Sequence, residues 1–163
     1  MVGLAVLVVE SRTRVEGVTG GDVIEFLLDC TDERYQAWWP GVHRELHALH
    51  RSGRPDHVGD VVLMDEMVGP RHLRLTAVVR EVQPGRRLVL QVHKGVPLPV
   101  WLVIETTDDE GGVDVRHSIR AGWSGPAKVL DPLFRLYLSP PFAAAMHEHV
   151  RTEFARLGRL LRS

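Results

Sequence analysis

Residues 71–93, RHLRLTAVVREVQPGRRLVLQVH, contain two runs in which apolar and polar side chains alternate. Successive side chains of a β-strand point to opposite faces, so this alternation would place Leu73, Leu75 and Ala77 on one face of a strand. The residues QPGR at 83–86 separate the two runs. They suit a turn, because proline presets φ and glycine tolerates positive φ. The stretch therefore predicts an antiparallel β-hairpin.

The alternation extends to both sides of this hairpin. Short turn-forming segments separate the runs, which is typical of an antiparallel meander, and Pro97 and Pro99 favour a loop over 94–99. The strands predicted in this part of the chain cover 61–68, 71–82, 87–93, 100–107 and 113–123. An apolar run at 2–9 predicts one earlier strand, which we expect to end where the polar residues 11–21 begin.

The remaining segments show helical spacing of apolar residues. Asp22 begins the first predicted helix, and Thr31 is a suitable N-cap for a second short helix that ends at Pro40-Gly41. Near the C-terminus, a pair of prolines separates a short helix over 129–138 from a longer one over 141–161. The longer helix carries an apolar stripe formed by Phe142, Met146, Val150, Phe154, Leu157 and Leu161.

The bulk properties of the sequence narrow the class of protein. Its 163 residues suit a single domain over 1–163, and a net charge of −1 without a dense basic run argues against nucleic-acid binding. Cys30 is the only cysteine, which excludes an internal disulfide and a cysteine-rich zinc site. No apolar run approaches ~18 residues, so we expect no membrane span and a cytoplasmic protein. We expect no cofactor, and the oligomeric state, including a homodimer, stays open.

The predicted order is one strand, two short helices, a six-stranded meander and a long terminal helix, which is an α+β arrangement. This order resembles the helix-grip fold of the START/SRPBCC superfamily, in its polyketide cyclase/dehydrase-like and birch-pollen-allergen-like groups. The likeness is carried by VIEFLLDCTDERYQAWWPGV (23–42), RLTAVVREVQPGRRLVLQV (74–92) and PFAAAMHEHVRTEFARLGRLL (141–161). It implies a seven-stranded antiparallel sheet wrapped around the long C-terminal helix, with two short helices between strands 1 and 2 and a second strand over 41–50.

A curved sheet that packs against one amphipathic helix easily leaves a cavity between them, and such cavities bind apolar ligands. We therefore expect the protein to bind a hydrophobic small molecule, such as a lipid, polyketide, quinone or aromatic compound. The alternative is a cyclase/dehydrase-like enzyme without a metal, in which a cavity histidine is the general acid or base. A third hypothesis is an interaction protein whose cavity is closed. The fold by itself does not decide among them.

Strand phase and the helix stripe identify the side chains expected to line this cavity. His117 lies between Val115 and Ile119 on the apolar face of its strand, and an imidazole titrates near neutral pH. It is therefore the candidate catalytic residue, with Glu105 as a candidate partner, and a hydrogen-bonded core histidine is the structural alternative. The predicted ligand-binding residues are Leu46, Leu75, Ala77, Leu90, Trp101, His117, Ile119, Phe142, Met146 and Val150.

Three closely spaced histidines raise the question of a metal site. His43, His47 and His50 would share one face of a helix. On the strand that the resemblance implies, however, His43 and His47 share a face and His50 takes the other. A zinc site would then need a further ligand, such as His57 or Asp60. We therefore expect no metal here and a strand whose histidines face solvent.

Several other side chains have both a structural and a functional interpretation. His147 and His149 flank the helix stripe, and of the two His149 is nearer to the expected cavity. Arg44, in phase with Leu46, would either meet an anionic ligand group or lie at a solvated strand edge. The aromatic residues that would belong either to the pocket or to the core are Tyr35, Trp38, Trp39, Trp101, Trp123 and Tyr137.

Overall fold

The computed structural model describes residues 7–163, which form one antiparallel sheet packed against helices. The strands are β1 Leu7–Glu16, β2 His43–His50, β3 Val61–Val68, β4 Arg71–Gln83, β5 Arg87–His93, β6 Pro97–Asp108 and β7 Gly112–Ala121. The helices are α1 Gly20–Leu28, α2 Asp32–Trp38, a 3-10 helix Gly125–Leu130, α3 Asp131–Tyr137 and α4 Pro140–Arg162. The strand order β1-β7-β6-β5-β4-β3-β2 makes β2 to β7 a meander whose last strand pairs with β1. The predicted seven-stranded helix-grip arrangement is confirmed.

The hairpin and the two short helices begin and end close to the predicted positions. Gly85 adopts φ +64° in the turn between β4 and β5, as a turn glycine should. Thr31 caps α2 by accepting a hydrogen bond from the backbone of Arg34. The first helix, however, begins at Gly20 rather than Asp22, because Thr19 and Asp22 form a reciprocal capping box.

Two strand boundaries differ from the prediction. Within the described residues, β1 continues through the polar stretch to Glu16, because Val9 and Val15 are buried on one face while the arginines between them point outward and pair with acidic neighbours. Part of the predicted strand at 2–9 lies outside the described residues. At the other end of the sheet, β6 already begins at Pro97, which pairs with His93 at the end of the ladder. A proline is tolerated there because it needs to donate no ladder hydrogen bond.

The C-terminal helix α4 lies on the concave face of the sheet and buries its predicted stripe. Phe154 and Leu157, in its second half, belong to the core together with residues of β1, α1 and α2. Phe142 and Met146, in its first half, are also buried. The short helix predicted over 129–138 is present as α3, and a 3-10 helix precedes it. Among the helices of residues 7–163, none is long and apolar enough to cross a membrane.

Candidate functional site

A cavity of about 780 Å³ lies between the concave face of the sheet, α3 and the first half of α4. Most of its wall is apolar, from residues such as Leu73, Val92, Leu98 and Leu102. Of the described residues, the polar groups on the wall are Glu66, His72, Arg74, Thr76, His93, Lys94, His117 and Tyr137. The long second half of α4 is packed tightly on β1 and α2, so the space opens only where α4 gives way to α3.

One side of the cavity is bordered by a gap in the sheet. The pairing of β4 with β5 ends at Thr76 and His93, so residues 71–75 of β4 have no partner in β5. Lys94 and Gly95, in the β5–β6 connection, line the cavity beside this gap. Backbone groups without a partner in β5 and basic side chains therefore border the cavity here, whereas most of the remaining wall is apolar.

The structure brings most of the predicted ligand-binding residues to this cavity. Those that line it are Leu75, Ala77, Leu90, His117, Ile119, Phe142 and Met146. They come from three strands, β4, β5 and β7, and from α4, and the regular alternation of the strands places them on the same space. Whether they contact a ligand stays a prediction.

Three predicted lining residues lie elsewhere. The side chain of Leu102 points to the concave face, because it pairs with Leu90 on β5 and Ile119 on β7, which both line the cavity. Its neighbour Trp101 therefore points to the convex face. Leu46 borders a separate void of about 30 Å³ near α1. Val150 is fully buried in the helix–sheet core, beyond the end of the cavity. The interpretation failed for Trp101 because β6 is apolar on both faces, so its phase could not be identified from the sequence.

His117 faces the cavity from β7. Its side chain is almost fully buried, and its Nδ1 has no hydrogen-bond partner among residues 7–163. Burial lowers the pKa of His117 to about 4, although the nearby Glu66 carboxylate opposes this shift. The imidazole is therefore neutral at pH 7.

The proposed partner of His117 is not beside it. Glu105 lies on the convex face, where it pairs with Arg87, and with Arg116 at 3.5 Å. In the register of β6 and β7, His117 is opposite Ile104 and Glu105 is opposite Arg116. The expectation that Glu105 assists His117 is therefore wrong, because the two side chains are on opposite faces of the sheet.

A second group of polar side chains is buried next to the cavity. We call it the His–Glu quartet: His43 on β2, Glu66 on β3, and His149 and Glu153 on α4, all of them buried. His149 Nε2 lies 3.3 Å from Glu66 Oε2 and 3.8 Å from Glu153 Oε2. His43 Nε2 lies 3.5 Å from a carboxylate oxygen of each glutamate. The Tyr35 hydroxyl donates a 2.8 Å hydrogen bond to Glu66, which also lines the cavity.

His43 is only 1% exposed, which corrects the expectation of a solvent-facing histidine. The register between β2 and β3 shifts from His43 opposite Glu66 to Glu45 opposite Asp65, so one extra residue, Arg44, is accommodated in β2. This β-bulge puts His43 on the same face as Leu46 and leaves Arg44 exposed. Arg44 therefore cannot meet a ligand in the cavity.

Burial and mutual charges set the protonation of the quartet. Burial raises the pKa of Glu153 to about 8, and the Glu66 carboxylate adds to the shift. Burial would also raise the pKa of Glu66, but the hydrogen bond and charge of His149 lower it overall. Burial opposes the charge on His149, but the carboxyl groups of Glu66 and Glu153 raise its pKa overall. For His43, burial is the dominant effect and lowers the pKa to about 4. The shifts therefore favour the charged forms of Glu66 and His149 and the neutral forms of Glu153 and His43.

The remaining histidines considered as metal ligands make local structural contacts. His47 Nδ1 lies 2.7 Å from Asp32 Oδ1, which also accepts from the backbone of Leu46 and so ties β2 to α2. His57 is 3.1 Å from Asp60, in the loop before β3 and away from His43. His147 is exposed and contacts Ser11 of β1. His50 is exposed at the end of β2. The three histidines of β2 therefore do not converge.

The aromatic residues divide between core and cavity. Tyr35 and Trp38 are buried in the core, where Tyr35 stacks on His43 with ring centroids 3.9 Å apart. Trp39 lies against His149, and Trp123 stacks on Phe134. Tyr137, on α3, lines the cavity together with Phe134 and Phe142, whereas no tryptophan of residues 7–163 is part of its wall.

Comparisons with known proteins bear on the fold. No protein-family model and no curated protein sequence matches the chain. A solved structure of a Polyketide_cyc-like protein from Corynebacterium glutamicum matches with a TM-score of 0.54 at 14% identity, covering 96% of this chain and 93% of that one. The major latex-like protein 151 of Panax ginseng matches with a TM-score of 0.53 at 14% identity, covering 88% and 96%.

The chain has an SRPBCC-type helix-grip fold. A protein from Cytophaga hutchinsonii shares it with a TM-score of 0.58 at 13% identity, and the alignment covers 98% of this chain and 96% of that one. At such identities the likeness concerns the fold alone. What an SRPBCC-type fold does in this chain has to be argued from its own cavity and buried polar groups.

Proposed function

We propose that this protein binds a hydrophobic small molecule in the cavity between the sheet, α3 and α4. The observation that carries the proposal is a space of about 780 Å³ with a mainly apolar wall. Ligand pockets in proteins are commonly about 300–1,000 Å³, with apolar walls and a few polar groups that fix the orientation of the ligand. Removing such an apolar wall from water is favourable, so an occupant of matching shape stabilises the folded protein.

The polar groups on the wall favour a ligand with at least one hydrogen-bonding group. The buried Nδ1 of His117 is unpaired among the described residues, and leaving such a group without a partner costs about 1–3 kcal/mol. Glu66 and Tyr137 add polar atoms elsewhere on the wall. We therefore favour a polyketide, a quinone or another oxygenated aromatic compound over a plain hydrocarbon chain.

The test is to reduce the cavity and measure binding. Native mass spectrometry of protein purified from its source should show a co-purified apolar compound. Ala77→Phe places a ring in the cavity wall and should abolish this occupancy. Ala155→Phe adds the same ring at an exposed position of α4 and is the matched control. Consistently empty wild-type protein, or equal occupancy in both variants, would contradict the proposal and favour the closed-cavity interaction protein.

The second candidate is an enzyme of the cyclase/dehydrase kind that uses His117. It is favoured by one observation, a neutral imidazole in the wall of the cavity with an unpaired nitrogen among the described residues. Because its pKa is lowered, His117 would act as a base that accepts a proton rather than as an acid. His117→Ala should then abolish turnover of a bound substrate and leave its affinity intact. A variant that only loses affinity would indicate a binding protein.

We further propose that the chain acts as a single domain in the cytoplasm and without a nucleic-acid partner. The balanced charge and the single, buried cysteine support this setting. Whether it forms a homodimer can be measured by light scattering.

A further inference from the structure

The His–Glu quartet brings four metal-binding side chains from three elements to one buried point. The four donor atoms, two imidazole nitrogens and two carboxylate oxygens, lie within 4.8 Å of one another. His149 and Glu153 are four residues apart on α4, so they project from the same face of the helix. His43 and Glu66 are paired across β2 and β3, and the bulge after His43 aims its ring at α4.

The hydrogen bonding of His43 leaves its Nε2 atom, which faces the rest of the quartet, without a partner among residues 7–163. Nδ1 lies 3.2 Å from the backbone oxygen of Tyr35, and a carbonyl oxygen can only accept, so Nδ1 carries the proton. In the neutral ring, Nε2 then has a free lone pair. That lone pair is buried, lacks a hydrogen-bond partner within residues 7–163, and points at Glu66 and Glu153, each 3.5 Å away.

An acceptor nitrogen that faces two carboxyl groups is an arrangement that a cation can satisfy when both groups give up their protons to bind it. The contact between Nδ1 and a backbone carbonyl is also the one that fixes the tautomer of histidines that bind metals. Tyr35 does the equivalent for Glu66 by donating its hydroxyl hydrogen bond to Oε2 at 2.8 Å. Both sides of the quartet are thus held in place from outside it.

We propose that the His–Glu quartet binds one divalent transition-metal ion, with Zn²⁺ as the best match. Tetrahedral zinc with ligand distances near 2.0–2.1 Å has neighbouring donor atoms about 3.3–3.5 Å apart. In the quartet, Glu66 Oε2 lies 3.5 Å from His43 Nε2 and 3.3 Å from His149 Nε2. Glu153 approaches the same two nitrogens with different oxygens, Oε1 at 3.5 Å and Oε2 at 3.8 Å, so one of the two would have to move slightly closer to bind the ion. Two imidazoles favour a transition metal over Mg²⁺ and Ca²⁺, which prefer oxygen ligands.

The site has a route for the ion and does not depend on the proposed hydrophobic ligand. Glu66 contributes both to the quartet and to the cavity wall, so an ion can reach the quartet from the cavity. The competing explanation is a metal-free network in which protons alone balance the two carboxyl groups. A direct measurement of metal binding separates the two explanations.

The first experiment titrates chelator-treated protein with Co²⁺. We expect one equivalent to bind with the intense visible absorption of four-coordinate Co²⁺. Glu153→Gln keeps the side-chain size but removes the anionic ligand, and His149→Gln removes an imidazole. Each should weaken binding at least about 100-fold, since even the outer partners of metal ligands are worth 10–100-fold.

The matched control is His47→Gln. His47 belongs to a half-exposed group with Asp32 and Glu45 that could also attract an ion. Its removal should leave the affinity and the spectrum unchanged. No binding by the wild-type protein, a weak six-coordinate spectrum, or binding that is lost in His47→Gln but kept in Glu153→Gln would overturn the proposal.

A second measurement needs only the wild-type protein, in case the quartet variants do not fold. X-ray absorption at the zinc edge counts the imidazoles bound to the ion. The quartet predicts two imidazoles and two oxygen ligands, whereas the group around His47 contains only one imidazole. A spectrum with one imidazole or none would refute the assignment.

Discussion

Two buried side chains of α4, Met146 and Leu157, should respond differently to truncation to alanine. They are 3% and 0% exposed, so a simple count of burial predicts similar losses. Leu157 is packed in the core, and Leu157→Ala would leave a new void, which typically costs about 3–5 kcal/mol. Met146 already borders the cavity, so Met146→Ala enlarges an existing space and loses contacts on one side only. We expect a loss of about 1–2 kcal/mol for Met146→Ala.

Urea unfolding of ligand-free protein measures both losses, provided that the slope with urea is the same for the wild type and the variants. For a chain of this size each kcal/mol corresponds to roughly 2–4 °C, so Leu157→Ala should lower Tm by roughly 10 °C. Leu133→Ala, at an exposed position of α3, is a control that should change the free energy of unfolding by less than about 0.5 kcal/mol. Equal losses of 3–5 kcal/mol for Met146→Ala and Leu157→Ala would refute the open space beside Met146.

Three further predictions concern the packing and caps that position the sheet. Gly20→Ala should destabilise the fold by about 1–3 kcal/mol in urea unfolding, because an added Cβ would lie 2.3 Å from the Gly85 carbonyl oxygen. Gly21→Ala is the control and should be tolerated, because an added Cβ there meets only the Thr19 hydroxyl at 3.4 Å. Similar losses for both variants would contradict this explanation. Thr19→Ala should cost about 1 kcal/mol by breaking the capping box, and Thr19→Ser should restore it; a loss that serine does not restore would count against the cap. Burial opposes ionisation of Asp60, but the hydrogen bonds that it accepts from Ser52, Arg51 and His57 hold its pKa well below the usual range. The carboxylate therefore stabilises the fold above about pH 4, where Asp60 would also be ionised in the unfolded chain. Asp60→Asn should therefore cost about 2 kcal/mol at pH 7, and the difference from the wild type should shrink as the pH falls below about 4; a difference that is constant with pH would refute it.

Most of the fold could be predicted from local patterns. The β4–β5 hairpin, the caps of α2 and the stripe of α4 each depend on residues close together in sequence, so alternation and helical spacing were sufficient. The end of β1 was missed because its outward arginines hid the alternation of Val9 and Val15. The start of β6 was missed because prolines at the end of a ladder are compatible with either strand or loop.

The site was harder to predict because strand phase fails at irregular positions. One extra residue in β2 reversed the face of His43, and an apolar strand concealed the phase of Trp101. The His–Glu quartet joins residues far apart in sequence, so no local spacing could show it. One signal was present: Glu66 is a carboxylate within an apolar strand, and such a residue is buried only with a partner.

Methyl NMR can show directly whether a hydrophobic molecule binds in the cavity. Protein with labelled Ile, Leu and Val methyl groups is titrated with an anilinonaphthalene probe, a hydrophobic aromatic compound. We expect saturable shifts, with one-to-one stoichiometry, of the methyl signals of Leu75, Leu90 and Ile119 in the cavity, while the signals of exposed Val129 stay unchanged. Shifts confined to exposed methyl groups such as that of Val129, or no saturable shift in the cavity, would contradict it.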